Sequence, residues 1–393
     1  MIKSPQYILW LPSWYPNEIT PYDGDFVQRH ARAVAAFAPV CVFHIIRDKK
    51  KKMTRSVRVH EKKGENLTET IIYYASPDIP WAFADRFLSQ VRYAWIYRKY
   101  IRKLFREKGF PELVHVHIIY KAGLIARWIE KKFGIPFLLT EQWTIHLPEA
   151  RPSLFDLSFA EQMLFSKIMD HVSLVLPVSK YLGKAMKQHW PHINFEVVPN
   201  VVDHQLFFPA EKKGEDRVLR LIHISTLQYQ KDPESLFAAL GKLKEQGIDF
   251  TLDLIGPVTA EISEYIRQTG IQDLVRIQGE MPQQRLSKLL QQTDALVLYS
   301  RYETFGCVII EANACGIPVI VPDTKLMEEL VVPGLNGIKV KPNDPSALAA
   351  AIIAFHANKA SFNRQQIADT TEKYSFKNVG SMFFEIYNRY ISD

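Results

Sequence analysis

Residues 294–323 constrain the fold of this chain more than any other stretch: D-A-L-V-L-Y-S-R-Y-E-T-F-G-C-V-I-I-E-A-N-A-C-G-I-P-V-I-V-P-D. The apolar run over 294–300 lacks alternation, which is typical of a strand buried in a parallel sheet. A polar loop follows, and a helix begins at Phe305 and ends before Gly316, which leads into a second buried strand. This order predicts an open α/β sheet, in which ligands bind at the carboxyl ends of the strands.

Two carboxylates flank the start of this predicted helix. Glu303 lies in the loop, and Glu311 lies inside the helix on an otherwise apolar segment. Between them, the backbone amides of Phe305, Gly306 and Cys307 form an anion site at the positive end of the helix dipole. An acid on each side of a phosphate site suits a nucleotide sugar, which carries a diphosphate between two hydroxylated rings.

The E-x7-E pattern of Glu303 and Glu311 resembles the signature of retaining GT-B glycosyltransferases of the large family 4 group. The alternative is a structural helix with one buried, hydrogen-bonded glutamate and one solvated glutamate in the loop. The flanking Phe-Gly, Ala-Cys-Gly and second strand favour the family. The resemblance implies that Glu303 contacts the donor sugar and Glu311 the nucleotide ribose. It also implies two facing Rossmann-like domains with parallel sheets and a C-terminal helix that returns to the N-terminal domain.

The length of 393 residues predicts two domains of ordinary size. We place an acceptor-binding domain at 1–205, a donor-binding domain at 206–375 and the returning helix at 376–393. No signal peptide or membrane-spanning run is expected from the sequence. Three scattered cysteines fit neither a disulfide scaffold nor a metal cage, so we expect a reducing cytoplasm.

The net charge of +7 is unevenly distributed. Residues 1–199 carry 29 Lys and Arg against 18 Asp and Glu, whereas the remainder carries 20 against 24. Part of this surplus lies in the lysine-rich run 47–55, predicted as a solvated loop, and in a cationic, aromatic-rich helix predicted over 85–108. That helix either lies on an anionic membrane surface or packs on the sheet with a basic outer face. No nucleic-acid motif accompanies the charge.

The first domain begins with a strand, a glycine-bearing loop and a helix. In the family the matching loop approaches the donor diphosphate, which makes Gly24 a candidate binding residue. Its neighbours Asp23 and Asp25 complete a D-x-D sequence, which we interpret as N-capping of the helix rather than as a metal site. A last strand of this half is predicted over 195–198.

Gln142 follows a predicted strand at 136–140, where family members commonly carry a histidine directed at the donor sugar. Glutamine both donates and accepts hydrogen bonds but does not titrate. His117, at the end of the preceding strand, is the candidate that compensates, with His115 and His146 as further histidines nearby in the sequence.

Lys231 follows the first strand of the second domain and matches the family's donor-phosphate lysine. The family usually carries an arginine five residues earlier, where this chain has Thr226. Arg301, beside Glu303, is the candidate substitute for that missing cation.

The resemblance therefore implies transfer of a sugar, with retention, from a nucleoside-diphosphate sugar to a saccharide or lipid-linked acceptor in polysaccharide, lipopolysaccharide or glycolipid assembly. It implies neither a metal nor another cofactor. Contact with the anionic inner face of the membrane is expected, and nucleic acid is not. Two alternatives stay open: a non-catalytic nucleotide-sugar-binding protein, and a nucleotide-sugar epimerase on the same fold.

Overall fold

The structure is a computed structural model that describes residues 6–50, 56–75, 81–211 and 218–391. Residues 51–55, most of the lysine-rich run predicted as a solvated loop, lie outside the described part of the chain. Two sheets organise the described residues, and the parallel strands predicted from the apolar runs form most of both.

The first sheet has seven strands in the order β3-β4-β2-β1-β5-β6-β7. Its strands are β1 (Ile8–Pro12), β2 (Val40–Arg47), β3 (Val57–Lys63), β4 (Leu67–Tyr74), β5 (Leu113–His117), β6 (Phe137–Glu141) and β7 (Leu174–Pro177). All neighbours pair in parallel except β3, which is antiparallel to β4 at the edge. The sequence analysis missed β3 because an exposed edge strand carries no apolar pattern.

The second sheet has six strands in the order β10-β9-β8-β11-β12-β13, all paired in parallel. They are β8 (Leu219–Ile224), β9 (Phe250–Ile255), β10 (Val275–Gly279), β11 (Ala295–Val297), β12 (Val319–Pro322) and β13 (Gly337–Val340). The predicted strand at 294–300 corresponds to the shorter β11, beside β8 and β12. We call the parts built on the first and second sheets the first and second domains.

Helices connect the strands and cover both sheets. They are α1 (Asp25–Ala35), α2 (Ala82–Lys108), α3 (Tyr120–Phe133), α4 (Phe159–Met169), α5 (Lys180–His189), α6 (Pro233–Glu245), α7 (Ala260–Gln268), α8 (Gln283–Gln291), α9 (Cys307–Ala314), α10 (Met327–Leu330), α11 (Pro345–Asn358), α12 (Arg364–Asp369) and α13 (Phe376–Tyr387). The helix predicted over 85–108 begins three residues earlier, at Ala82. No helix in the described part is both long enough and apolar enough to span a bilayer.

The C-terminal helix α13 lies on the first domain, against α1, as predicted. Phe383 and Tyr387 are fully buried beside Trp10 of β1, and the Tyr387 hydroxyl lies 2.5 Å from Nδ1 of His115 in β5. Gly380 allows α13 to approach α1 closely because it has no Cβ. A Cβ at this position would lie 2.4 Å from the backbone oxygen of Ala33 in α1.

One predicted strand is wrong. Residues 195–198 form no strand, and only an isolated bridge joins Phe195 to Val175 of β7. This segment leads instead into the connection between the domains, where Val198, Val201 and Val202 are fully buried. Burial in a connecting segment produced the apolar run that the sequence analysis assigned to a strand.

Candidate active site

The cleft between the two domains, at the carboxyl ends of both sheets, encloses about 450 Å³. From the first domain it is lined by Trp14, Tyr22, Asp25, Phe26, Arg29, Gln142 and Asn200. The second domain contributes chiefly Ser225, Thr226, Lys231, Gly256, Met281, Glu311 and the continuous segment 303–308. The lining therefore includes most of the predicted site residues but not Gly24, His117 or Arg301.

The amino end of α9 opens onto this cleft. Gly306 is its N-cap in the left-handed conformation, with φ 78°, and no side chain caps the helix. A helix leaves its first amides without intrahelical acceptors, so α9 presents N–H donors to the cleft. Phe305 packs edge-on against Tyr374, with ring centroids 5.7 Å apart, and this contact supports the turn from behind.

Lys231 and Glu303 meet in the cleft. The ammonium of Lys231 donates a hydrogen bond to Oε1 of Glu303, and both side chains are largely buried. The carboxylate also accepts from the Ser300 hydroxyl at 2.9 Å and from Nε2 of Gln230 at 3.3 Å. The predicted phosphate-binding cation and sugar-binding acid are thus direct neighbours.

The structure places Arg301 away from the cleft, so it is not positioned to replace the missing arginine at Thr226. Its guanidinium pairs with Asp232 at 2.7 Å and lies 4.3 Å over the ring of Tyr229. Its Nη1 also donates to the Tyr229 carbonyl at 2.5 Å. Arg301 therefore braces the loop that carries Lys231 instead of facing a ligand.

Glu311 is held by a residue of the opposite domain. Nη1 of Arg29, in α1, donates to Oε1 of Glu311 at 2.7 Å and to the Val201 carbonyl at 3.0 Å. Arg29 is 4% exposed and Glu311 is 3% exposed. Burial raises the pKa of Glu311, while the Arg29 guanidinium opposes that rise. The ion pair joins the domains across the cleft and leaves Oε2 of Glu311 without a hydrogen bond to any described residue.

Gln142 is a buried residue of the cleft lining whose side-chain amide has an unused donor. It is 7% exposed and lines the cleft, and its Nε2 has no hydrogen-bond partner among the described residues. Its backbone is well held, because its N–H donates to Glu141 at 2.8 Å and its carbonyl accepts from the Thr304 hydroxyl at 2.8 Å. Glu141 also accepts from the amides of Ile119 and Trp143 and orients this loop.

Gly24 has a packing role in this structure. It adopts φ 68°, and a Cβ there would lie 2.4 Å from the backbone carbon of Trp14, a cleft residue. The N-capping interpretation of its neighbours is wrong, since α1 has Gly24 itself as N-cap and no side-chain cap. Asp25 instead pairs with Arg29 at 3.4 Å and accepts from Gln283 of the second domain at 2.7 Å.

His117 is fully buried below the cleft and does not reach it. Its ring stacks 3.9 Å from Trp10 and 4.2 Å from His115, and neither ring nitrogen has a partner among the described residues. Burial lowers its pKa, so the ring is neutral. His146 is likewise buried and lies 3.4 Å from Glu141. No histidine is among the described residues that line the cleft beside Gln142.

The cleft also contains a cysteine, Cys307. Burial raises the pKa of the Cys307 thiol to about 12, which keeps it protonated at neutral pH. Among the described residues, no three His, Cys, Asp or Glu side chains are grouped so that they could hold a metal ion. The cleft presents cations, amides and carboxylates, which are groups suited to charged and hydroxylated ligands.

Sequence reasoning missed two side chains that hold the residues of this site in place, Arg29 and Glu141. Arg29 precedes Glu311 by 282 positions, and nothing in a helical segment rich in Arg and Ala marks it as buried. Glu141 had a usable signal, since it follows a predicted buried strand directly.

Two facing α/β domains with a ligand cleft between the carboxyl ends of their parallel sheets define the GT-B class of glycosyltransferase. The family model described as "Glycosyltransferase Family 4" matches residues 55–206, and the model "Glycosyl transferases group 1" matches residues 205–373. Together they span most of the chain. The protein belongs to the GT-B glycosyltransferases of the family 4 type.

Relatives and solved structures agree with this assignment. A glycogen synthase of Mycobacterium tuberculosis is 27% identical over 196 residues, which is 49% of this chain and about half, 47%, of that enzyme. Sucrose-phosphate synthase of Thermosynechococcus elongatus has a similar structure, with TM-score 0.77, 18% identity and 98% coverage of both chains. HepE of Anabaena, solved with UDP-glucose, has TM-score 0.70, 18% identity and coverages of 98% and 99%.

Proposed function

We propose that this protein transfers a sugar from a nucleoside-diphosphate sugar to an acceptor hydroxyl, with retention of the anomeric configuration. The observation that carries the proposal is the meeting of Lys231, Glu303 and the open amino end of α9 in one cleft. A cleft of about 450 Å³ is within the size range of small-molecule sites.

Each part of the donor has a matching group. The diphosphate lies at the α9 amides with Lys231 beside it, and these donors stabilise the charge that develops as the phosphate leaves. Glu303 accepts hydrogen bonds from sugar hydroxyls, and the free Oε2 of Glu311 accepts from the ribose diol. The side-chain amide of Gln142, which lines the cleft, forms a hydrogen bond with the donor sugar.

The reaction needs no protein nucleophile. As the bond between the anomeric carbon and the phosphate oxygen breaks, the acceptor oxygen attacks the same face of the sugar. The departing phosphate oxygen takes the acceptor's proton, so proton and charge balance without a titrating side chain. This fits the neutral, buried His117 and the protonated Cys307.

The acceptor is a saccharide or a lipid-linked saccharide, in polysaccharide, lipopolysaccharide or glycolipid assembly at the cytoplasmic face of the membrane. The glycogen synthase relative supports a saccharide acceptor, and the basic first domain supports an anionic, lipid-linked one. HepE with UDP-glucose supports a UDP-sugar donor. We propose that no metal or other cofactor takes part.

A panel of UDP-, GDP- and ADP-sugars tests this function. The expected result is thermal stabilisation by one donor together with slow release of its free nucleotide. Stabilisation without release would favour the non-catalytic binding protein. That alternative is supported by Gln142 and Thr226, which replace the histidine and the arginine usual in the family. A changed sugar that stays attached to its nucleotide would identify an epimerase, and an inert panel would refute the site assignment.

A further inference from the structure

Large exposed apolar side chains of the described residues are concentrated between Trp81 and Leu164. Eleven of the eighteen exposed large apolar side chains among the described residues lie there. They are Trp81, Phe87, Leu88, Val91, Trp95, Phe110, Leu124, Phe155, Phe159, Met163 and Leu164. We call this surface the α2–α4 face, since helices α2, α3 and α4 carry most of it. Clustered exposed apolar residues mark an interaction surface.

Helix α2 has two apolar stripes on different sides. The inner stripe, which includes Tyr93, Tyr97 and Ile101, is buried in the core of the first domain. The outer stripe runs through Leu88, Val91 and Trp95, which are 50%, 51% and 58% exposed. Because the inner stripe already anchors the helix, the outer one is not needed for folding and is available to a partner.

The three helices of this face border one another along a groove. A narrow groove of about 100 Å³ separates α2 from α4 and passes over α3. Its lining includes Ala94 of α2, Leu124 of α3 and Leu164 of α4. Leu124 and Leu164 are exposed, so α3 and α4 add apolar surface beside α2.

A wider groove of about 950 Å³ borders the same stripe and carries unpaired positive charge. Trp95, Phe110 and Phe133 form its apolar wall. Its cations are Arg98, Lys99, Arg102, Arg106 and Lys132. No carboxylate is among its described lining residues, and none of the five cations forms an ion pair with another described residue. Two of them are held in place, since Arg98 and Arg102 lie 5.5 and 5.7 Å over the Trp128 ring.

We propose that the α2–α4 face docks on an anionic phospholipid bilayer. The wide groove binds lipid phosphates through its cations, and the outer stripe enters the boundary between headgroups and acyl chains. Charge complementarity and the mixture of tryptophan with aliphatic residues select this partner. A nucleic acid would leave the aliphatic stripe uncovered, and a second copy in a two-fold contact would oppose the five cations to themselves. The inference does not depend on the proposed transferase activity.

Vesicle flotation of the full chain without any donor tests the proposal. We expect the protein to float with vesicles of phosphatidylcholine and phosphatidylglycerol, to stay behind with phosphatidylcholine alone, and to release in high salt. Each cation near such a surface is worth about fivefold in partitioning, so Lys99→Gln/Arg106→Gln is expected to bind about 25-fold more weakly. The control Arg276→Gln/Lys288→Gln removes the same charge from exposed positions of the second domain and is expected to bind like wild type.

A second pair of variants tests the apolar stripe. Trp95→Ala is expected to weaken vesicle binding at least tenfold, whereas Phe208→Ala, which removes another exposed ring far along the chain, is expected to leave it unchanged. Melting temperatures check that all four variants fold. Equal binding to neutral vesicles, equal losses in the variants and their controls, or a protein dimer that masks the face would each overturn the proposal.

Discussion

Replacing Arg29 with methionine tests whether the two domains are joined by a buried ion pair. Methionine keeps an apolar chain but removes both hydrogen bonds, to Glu311 at 2.7 Å and to the Val201 carbonyl at 3.0 Å. Glu311 is 3% exposed, so its carboxylate is left buried, with Asp25 as the neighbouring charge. Breaking a buried pair in this way costs about 3–5 kcal/mol of unfolding free energy.

The matched variants separate the pair from its surroundings. Glu311→Gln keeps an oxygen that accepts from Arg29, and Arg29 keeps Asp25 and the Val201 carbonyl, so we expect a loss of only about 1–2 kcal/mol. In Arg29→Met/Glu311→Gln the combined loss is expected to fall short of the sum by about 1–3 kcal/mol, because the unpaired charge is gone.

The pH dependence of Arg29→Met has a definite sign. Burial raises the pKa of Glu311 above its usual value near 4.5, and removing the opposing guanidinium raises it further. A carboxyl whose pKa is raised by folding keeps its proton to a higher pH in the folded state than in the unfolded state. Its contribution to stability is therefore greatest below the pKa of the unfolded state and is lost as pH rises through the pKa of the folded state. Urea unfolding is therefore expected to show a smaller loss, relative to wild type, near pH 5 than near pH 8. An equal loss at both pH values, or a loss under about 1 kcal/mol, would refute the buried pair.

Three further predictions concern single residues of the site. Gly24→Ala is expected to destabilise the protein by more than about 2 kcal/mol, for two reasons. The new Cβ would clash with the Trp14 backbone, and alanine would have to adopt a positive φ. Gly134→Ala, with φ 71° and no atom within 4 Å of its Cβ, is expected to cost only about 1 kcal/mol, and equal losses in thermal unfolding would contradict the packing role. Gln142→Leu removes an unpartnered buried Nε2, so we expect unchanged or higher stability but about tenfold slower sugar transfer; a stability loss above about 1 kcal/mol would show a missed structural bond. Cys307, with its pKa raised to about 12, is expected to react with iodoacetamide near pH 8 about a thousandfold more slowly than a free thiol, and rapid alkylation would contradict its protonated state.

The local part of the site was predictable because its signals lie close together in the sequence. The strand, loop and helix around Glu303 and Glu311 are marked by an apolar run, a polar loop and two glycines within thirty residues. Lys231 was identified because its position after the first strand of the second domain matches the donor-phosphate lysine of the family. The structure brings it to Glu303, as expected for residues that end neighbouring parallel strands.

The remaining contacts depend on tertiary packing that no local pattern encodes. Arg29 meets Glu311 only because the two domains face each other. Arg301 contacts Asp232 and Tyr229 and does not line the cleft. His117 is buried against Trp10 and His115. Composition also did not show which aromatic residues of α2 are buried. Tyr93 and Tyr97 lie in the core, whereas Phe87 and Trp95 are exposed.

In the proposed reaction Lys231 and Glu303 activate a nucleotide sugar at the amino end of α9. Its most direct test is the rate of nucleotide release from the preferred donor by Lys231→Met, compared with wild type and with Lys325→Met, an exposed lysine outside the cleft. We expect Lys231→Met to lower kcat about 100- to 1,000-fold, as loss of a charge-stabilising donor does. The Lys325 control is expected to match wild type. A Lys231→Met enzyme with wild-type turnover would show that the reaction takes place elsewhere.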